Sequence, residues 1–275
     1  RGGEAGGGGM SIERVTIGSA TLYCGEALAV LQSLPSASVD ALITDPPYSS
    51  GGMVRGDRVQ DVHTKYVNTD SGSGNLLEAF SGDSRDSRGY GYWVALWLSE
   101  CMRVIKPGGV AALFTDWRQL PTTSDQLQAG GFVWRGIVPW HKPAGRPVQG
   151  RWANSCEYIV WGTNGPRSLM ALDGAALPGF FQENSPRERD HITQKPVSVM
   201  QSLVLIVPRG GVVLDLFMGS GTTGVACALE GRHFIGVEMT RHHFDTSCRR
   251  IREAGLQGDL LSHEAVPAGV QLEIE

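Results

Sequence analysis

Between Val212 and Glu238 the chain spells out a strand, a glycine turn, a helix and a second strand in one unbroken stretch. Val212-Val213-Leu214-Asp215-Leu216 is an apolar run, and Phe217-Met218-Gly219-Ser220-Gly221 then turns the chain. Thr222 to Glu230 has helical character, and His233 to Glu238 is a second strand that ends in an acid. Such a βαβ unit needs parallel neighbours, which restricts the chain to the α/β architectures. The glycine loop lets a ligand approach the backbone, and a carboxylate at Glu238 can accept two ribose hydroxyls. Gly219, Gly221 and Gly224 also fit G-x-G-x-x-G, so a dinucleotide site and a purely structural tight turn are both open readings. A P-loop is excluded because no lysine follows the glycines.

Asp45-Pro46-Pro47-Tyr48 is the second feature. It follows Val39-Asp40-Ala41-Leu42-Ile43-Thr44, which reads as a buried strand. Ligands of open α/β sheets sit outside the carboxyl ends of the strands, so Asp45 is expected in the crevice. Two prolines fix φ, remove two backbone donors and stop the strand. The Pro46 carbonyl stays free as an acceptor, and Tyr48 offers a flat ring. A carboxylate, a free carbonyl and an aromatic face suit a planar exocyclic amine. The alternative is a strand-ending turn with a cap-like aspartate.

With 275 residues, 41% of them hydrophobic, the chain can build one large α/β domain with additions. No apolar stretch approaches the roughly 20 residues that span a bilayer, and no signal-peptide pattern is visible. Cys24, Cys101, Cys156, Cys227 and Cys248 are odd in number and scattered, which points to reduced thiols in a cytoplasmic setting without a metal pair. Residues 1–10, glycine-rich up to Met10, are expected to be a disordered leader or cloning remnant.

A net charge of −4 does not suit a nucleic-acid binder until its distribution is read. No acid occurs between Asp125 and Glu157, while Arg135, His141, Lys142, Arg146 and Arg151 alternate with Phe132, Trp134, Trp140 and Trp152. Cations for phosphates and rings for bases are the footprint of a nucleic-acid groove. A bland alternative makes the tryptophans core and the arginines solvated. Arg241, Arg249, Arg250 and Arg252 form a second basic cluster, expected on the solvated face of a terminal helix.

Elsewhere the patterns predict a strand over Thr16–Cys24, a helix from Ala27 to about Leu34 and a helix over Trp93–Ile105. Lys106-Pro107-Gly108-Gly109 should turn into a strand at Val110–Phe114. Ile137–Trp140 and Tyr158–Trp161 should pair antiparallel, and Val197–Ile206 should be helical. Residues 49–92, rich in Gly, Ser, Asp and Arg, read as an insertion leaving the site, a lid or clamp. Leu169 to Asp190 is irregular.

The ordered set of D-P-P-Y early and F-M-G-S-G-T-T late resembles the DNA amino-methyltransferases of the β arrangement. In that family the catalytic motif precedes the cofactor-binding motif. The resemblance covers about Thr16 to Ala254. It includes Gly25-Glu26, Lys106-Pro107-Gly108-Gly109, Trp140-His141-Lys142, Glu157-Tyr158-Ile159-Val160 and His191-Ile192-Thr193-Gln194-Lys195-Pro196. It implies a doubly wound, mostly parallel, Rossmann-like sheet over residues 11–254, target recognition within 49–92 and 135–190, and a tail at 255–275. It further implies S-adenosylmethionine as cofactor, double-stranded DNA as partner, no metal and a homodimer in a bacterial or phage-type cytoplasm. The sequence names no restriction endonuclease partner.

By position, the resemblance assigns catalysis to Asp45, Pro46, Pro47 and Tyr48. It assigns the cofactor to Asp215, Phe217, Gly219, Ser220, Gly221, Thr222 and Thr223, with Glu238 on the ribose. Thr193, Gln194 and Lys195, with Asp45 in part, are expected on the methionine portion. Glu26 stands where the family usually has aspartate against the cofactor adenine. Arg135, Lys142, Arg146 and Arg151 are expected on DNA. Aspartate at the first tetrapeptide position favours N6 of a flipped adenine over N4 of cytosine. Methylation of a ring carbon would need a cysteine nucleophile, typically after proline, and no Pro-Cys pair occurs. A nicotinamide-dependent oxidoreductase on the glycine unit is the rival from another class. It leaves D-P-P-Y and the acid-free window without a role.

Overall fold

The computed structural model describes residues 12–47, 87–145, 149–172, 175–186 and 194–263. A hairpin of β1 (Glu13–Ile17) and β2 (Ala20–Cys24) opens it, followed by α1 (Ala27–Ser33) and β3 (Val39–Thr44). Next come α2 (Ser87–Val104), β4 (Ile105–Thr115), α3 (Leu120–Ala129), β5 (Val133–His141), β6 (Cys156–Thr163) and β7 (Phe181–Gln182). The chain closes with α4 (Val197–Val204), β8 (Val212–Asp215), α5 (Thr222–Glu230), β9 (His233–Glu238) and α6 (Arg241–His263). The described strands form one sheet in the order β1-β2-β9-β8-β3-β4-β6-β5-β7. From β2 to β4 the pairings are parallel, whereas β1–β2, β4–β6 and β5–β6 are antiparallel.

Both faces of the parallel part are buried, which is why its strands are continuous apolar runs rather than alternating ones. Ala41, Ile43, Val110, Ala112, Phe114 and Val213 pack with Val199, Met200, Val225, Phe244 and Ile251 of α4, α5 and α6. Their sequence neighbours Leu42, Ala111, Leu113 and Leu214 pack with Val30, Leu31, Val94, Trp97, Leu98 and Leu127 of α1, α2 and α3. β3 continues to β4 on one side and β8 to β9 on the other, so the winding reverses between β8 and β3. That reversal opens a crevice at the carboxyl ends of these two strands, where α/β folds bind ligands.

Several boundaries differ from the sequence patterns for local reasons. Gly18, at φ +54°, splits the expected Thr16–Cys24 strand into a hairpin. The helix expected at Trp93 starts at Ser87, inside the expected insertion. Gly89 and Gly91 hide its periodicity, yet a Cβ on Gly91 would stand 3.0 Å from the Gln126 side chain, so this glycine permits α2 to pack on α3. Lys106–Gly109 lies within β4, although Gly108 at φ +76° still bends it. α3 was not anticipated, and Pro121 in its first turn is compatible with a helix start. α6 runs through the expected boundary at residue 254 and ends at His263. Residues 1–11, most of the expected insertion (48–86) and 264–275 lie outside the described residues. No described helix is long and apolar enough to cross a membrane.

One buried carboxylate joins the two central strand ends. Asp215 Oδ1 accepts from Thr44 Oγ1 at 2.7 Å and from the Phe217 amide at 3.1 Å, and Oδ2 accepts from Thr223 Oγ1 at 2.5 Å. Burial pushes the Asp215 carboxyl up to about 6, even though Thr223, Thr44 and the Phe217 amide favour its charged form. An unfolded aspartate titrates near 3.9, so between about pH 4 and 6 the folded state holds the proton more tightly. This group's contribution to unfolding free energy therefore falls by about 3 kcal/mol as pH rises through that window. Asp215→Asn, which keeps an acceptor but cannot ionise, should lack that component. Denaturant melts at several pH values should show the variant gaining on the native protein from pH 4 to 6 and holding a constant difference above it. Parallel profiles would contradict the assignment.

Candidate active site

The crevice is built from the ends of β3, β8 and β9 together with residues that reach it from β6, β5 and the start of α4. Asp45 follows β3 directly, and its side chain is 21% exposed. Its Oδ2 accepts from Lys195 Nζ at 2.6 Å, while Oδ1 is buried and has no hydrogen-bond partner among the described residues. Lys195, 6% exposed, also faces Glu157, whose Oε2 lies 3.2 Å from Nζ. Glu157 in turn pairs with Lys142. Asp45, Lys195, Glu157 and Lys142 thus alternate in charge from the strand end to the edge of the sheet.

The ladder rests on two rings. Lys195 Nζ lies 5.1 Å from the centroid of Phe114, and Lys142 Nζ lies 4.6 Å from that of Trp140. Phe114 and Trp140 meet edge to face at 6.4 Å. An ammonium over a ring face is stabilised without needing water, which suits a half-buried row of charges. Burial pushes the Asp45 carboxyl above its ordinary range, against the pull of Lys195. For Glu157, burial also opposes the charge, but Lys195 and Lys142 outweigh it and hold the group low. Lys195 is held high because Asp45 and Glu157 outweigh its burial.

Beside the ladder lies the glycine loop between β8 and α5. Gly219 and Gly221 take φ of +50° and +79°, conformations that glycine adopts without strain. Gly224 serves packing: a Cβ there would stand 2.4 Å from Ile251 Cδ1 and 2.7 Å from the Phe234 ring. Glu238 ends β9 as expected, its Oε2 accepting from the Gly219 amide at 3.0 Å and its Oε1 from the Thr240 amide at 2.7 Å. Phe217 packs, tilted and edge-on, against Trp93 and Trp97, at centroid distances of 5.3 and 5.6 Å. Arg250 braces the loop: its Nη1 donates to the Ser220 carbonyl at 2.6 Å, to Ser220 Oγ at 2.9 Å and to Thr222 Oγ1 at 3.2 Å.

The structure gives several of the expected site residues contacts within the protein. Lys195, expected on the cofactor's methionine portion, is engaged by Asp45 and Glu157. Asp215, expected to line the cofactor, is spent beneath the loop on Thr44, Thr223 and the Phe217 amide. Ser220, Thr222 and Thr223 are also buried, with their hydroxyls turned to Arg250 or Asp215. Glu26 caps α1 by accepting from the Ala29 amide at 2.8 Å. Gln194 stands next to Lys195 at the entrance to α4. Arg250, expected on a solvated face, is the loop brace instead, while Arg241 and Arg249 do sit on exposed ion pairs. Tyr48, Thr193 and Arg146 lie outside the described residues.

The four expected DNA cations separate. β5 pairs with β6 so that Trp140 faces Glu157 while Val133 faces Thr163. Thr163 in turn faces Val110, at the amino end of the parallel strands. Arg135 therefore sits at the edge opposite Asp45, where its Nε donates to Thr163 Oγ1 at 3.0 Å. Lys142 reaches the Asp45 edge but is committed to Glu157. Arg151 is exposed on the β5–β6 loop at that same edge, next to Trp152, which is 94% exposed. Trp140 and Phe132 are core. At the end of β4, Asp116 accepts from the Arg118 guanidinium at 2.9 Å, and Arg118 covers the exposed Trp117 ring at 5.0 Å. Sequence reading passed over this pair. An exposed Trp-Arg directly after a strand was the available signal.

The family model described as DNA methylase, of the N6/N4 type, matches residues 39–173 and 176–249. Among curated proteins, the Type II methyltransferase M.HinfI of Haemophilus influenzae is 25% identical over 92% of this chain and 75% of its own length. A putative methylase of Escherichia coli, YubD, is 25% identical over 82% and 88%. The fold is shared with the putative DNA modification methylase TTHA0409 of Thermus thermophilus, at 21% identity, a TM-score of 0.60, and coverage of 84% of this chain and 93% of that one. It is shared too with the PvuII DNA methyltransferase, described as cytosine-N4-specific, at 17% identity, a TM-score of 0.63, and coverage of 86% and 87%. With the matched family segments spanning the Asp45 crevice, the ladder and the glycine loop, the chain belongs to the N6/N4 DNA methylase family and is a DNA methyltransferase.

Proposed function

We propose that this enzyme methylates the exocyclic N6 amino group of an adenine flipped out of double-stranded DNA. The observation that carries the reading is Asp45 Oδ1, a buried carboxylate oxygen at a strand end that no donor among the described residues satisfies. An oxygen of that kind costs stability unless a ligand supplies a donor, and an amino group supplies two. Oδ1 and the Pro46 carbonyl accept both N–H hydrogens, which raises electron density on a nitrogen whose lone pair is otherwise drawn into the ring. As that nitrogen becomes positively charged, the Asp45 carboxylate stabilises it electrostatically. Tyr48 supplies a face on which the flipped base stacks.

S-adenosylmethionine, when bound, supplies an electrophilic methyl group on a sulfonium sulfur. The residues at the glycine loop fit it. The loop has no lysine to meet a phosphate, and this cofactor has none. Glu238 presents a carboxylate at the strand end, suited to ribose hydroxyls. Gly219 and Gly221 allow close approach, and Phe217 provides an aromatic wall for a purine. N4 of cytosine could be held by the same acceptor pair. Aspartate as the first residue of the tetrapeptide, together with the family resemblance, favours adenine.

The test is incubation of the protein with DNA and S-adenosylmethionine followed by analysis of the nucleosides. N6-methyladenine is expected, and N4-methylcytosine would replace the adenine reading with the cytosine one. Asp45→Ala should slow transfer by at least about 10²–10³-fold, the scale for removing one preorganised electrostatic group, while S-adenosylhomocysteine binding is weakened rather than lost. Wild-type turnover in that variant would remove Asp45 from the mechanism.

Edge placement separates the arginines. Arg151→Ala should flatten the log–log salt dependence of DNA affinity by about one. Arg135→Ala should leave the slope unchanged. A changed slope in Arg135→Ala would put DNA on the opposite edge of the sheet.

A further inference from the structure

We propose that Glu157 and Lys142 are positioning residues that act through Lys195: Glu157 keeps that lysine charged and fixed on Asp45 so that the free oxygen is aimed into the crevice, and Lys142 offsets the repulsion that Glu157 exerts on the Asp45 charge. The inference rests on the methyl-transfer reading and assigns two residues that touch neither base nor cofactor in it.

Asp45 alone would be poorly placed to act. A carboxylate withdrawn from water tends to take up a proton, and a protonated Asp45 loses the charge that makes it a strong acceptor. Lys195 counters this with a 2.6 Å contact to Oδ2, which also fixes the carboxylate's rotation and leaves Oδ1 as the oxygen without a partner among the described residues. Lys195, however, is itself 6% exposed and would be an ammonium out of water. Glu157 gives it a second carboxylate, at 3.2 Å. A triad of two carboxylates and one ammonium carries a net charge of −1, and Lys142 brings the row to neutrality.

Each end of the row is anchored by backbone. Asp45 is fixed by the end of β3. The Lys142 amide donates to the Ser155 carbonyl at 2.8 Å, and its own carbonyl accepts from the Gly145 amide at 3.0 Å, so Lys142 closes the neck of the β5–β6 loop. The register that sets Glu157 opposite Trp140 brings Lys142 within reach of it. Phe114 and Trp140 support the two ammonium groups from one side. Charged groups facing Asp45 come from every neighbouring element among the described residues: Lys195 before α4, Glu157 on β6, Lys142 after β5 and Asp215 on β8.

Opposite displacements test the ladder. Glu157, a like charge, disfavours ionisation of Asp45 and raises its pKa, whereas Lys142 favours ionisation and lowers it. Glu157→Gln should therefore move the Asp45 midpoint down in pH, and Lys142→Met should move it up. Lys142→Arg should restore the native midpoint. The readout is a ¹³C NMR titration of carboxyl-labelled aspartate in the unliganded enzyme, with the Asp45 signal identified by its loss in Asp45→Asn. The acid limb of the single-turnover methylation rate should shift in the same directions. Midpoints that stay at the native value in both variants, or that move the same way, overturn the proposal. If Glu157→Gln does not fold, Lys142→Met decides alone, an upward shift supporting the ladder and an unmoved midpoint overturning it. A native enzyme that titrates as described but transfers no methyl group to DNA would overturn the proposed function and leave the ladder standing.

Discussion

Asp215 is the point on which the crevice depends. Its two carboxylate oxygens take hydrogen bonds from the last residue of β3, from the turn after β8 and from the first turn of α5. These three segments come from opposite ends of the chain, Thr44 standing 171 residues before Asp215. Without that clamp, the D-P-P-Y turn and the glycine loop would share a sheet but not a fixed separation. Methyl transfer is an in-line displacement whose barrier falls mainly through positioning, and small errors of placement are costly. A buried carboxylate whose ionisation is pushed up to about 6 is the energetic cost of that alignment.

The same logic governs the charge ladder. Buried ion pairs seldom add much stability, because desolvation offsets their attraction. Four alternating charges at the crevice are therefore better explained by function than by folding. Lys195 sits between two carboxylates and above a ring, an arrangement that keeps it charged at the expense of mobility. Its task follows from what it leaves undone: it occupies one oxygen of Asp45 and spares the other. A lysine free to swing toward the cofactor would leave Asp45 less firmly oriented.

Much of the fold was legible because it is written locally. β3, α5 and β9 fall where the apolar runs and the glycine turn place them. Asp45 and Glu238, each the acid at a strand end, stand where that position predicts. Partners were less legible, since they depend on register between distant strands. Lys142 and Arg135 look alike in a window without acids, yet one is drawn into the row of charges at Asp45 and the other lies at the far edge. Arg250 looked like one more cation on a terminal helix, and its role as brace appears only when α6 crosses the loop. Glu157 carried a signal in hindsight, as the acid that ends the window at the start of a strand.

A single strand pairing accounts for much of that outcome. β6 runs antiparallel to β4, so its beginning, not its end, lies level with the carboxyl ends of β3 and β4. β5 is antiparallel to β6, which returns its end to the same level. The loop joining them therefore leaves from the Asp45 edge, with Arg151 and the exposed Trp152 on it, while residues at the start of β5 are carried to the opposite edge. Had β5 and β6 joined the sheet in parallel, Glu157 would lie far from Lys195, and Asp45 would face a buried ammonium with one partner. The antiparallel addition to a parallel sheet thus places both the counter-charge for Lys195 and a cationic, aromatic loop beside one strand end.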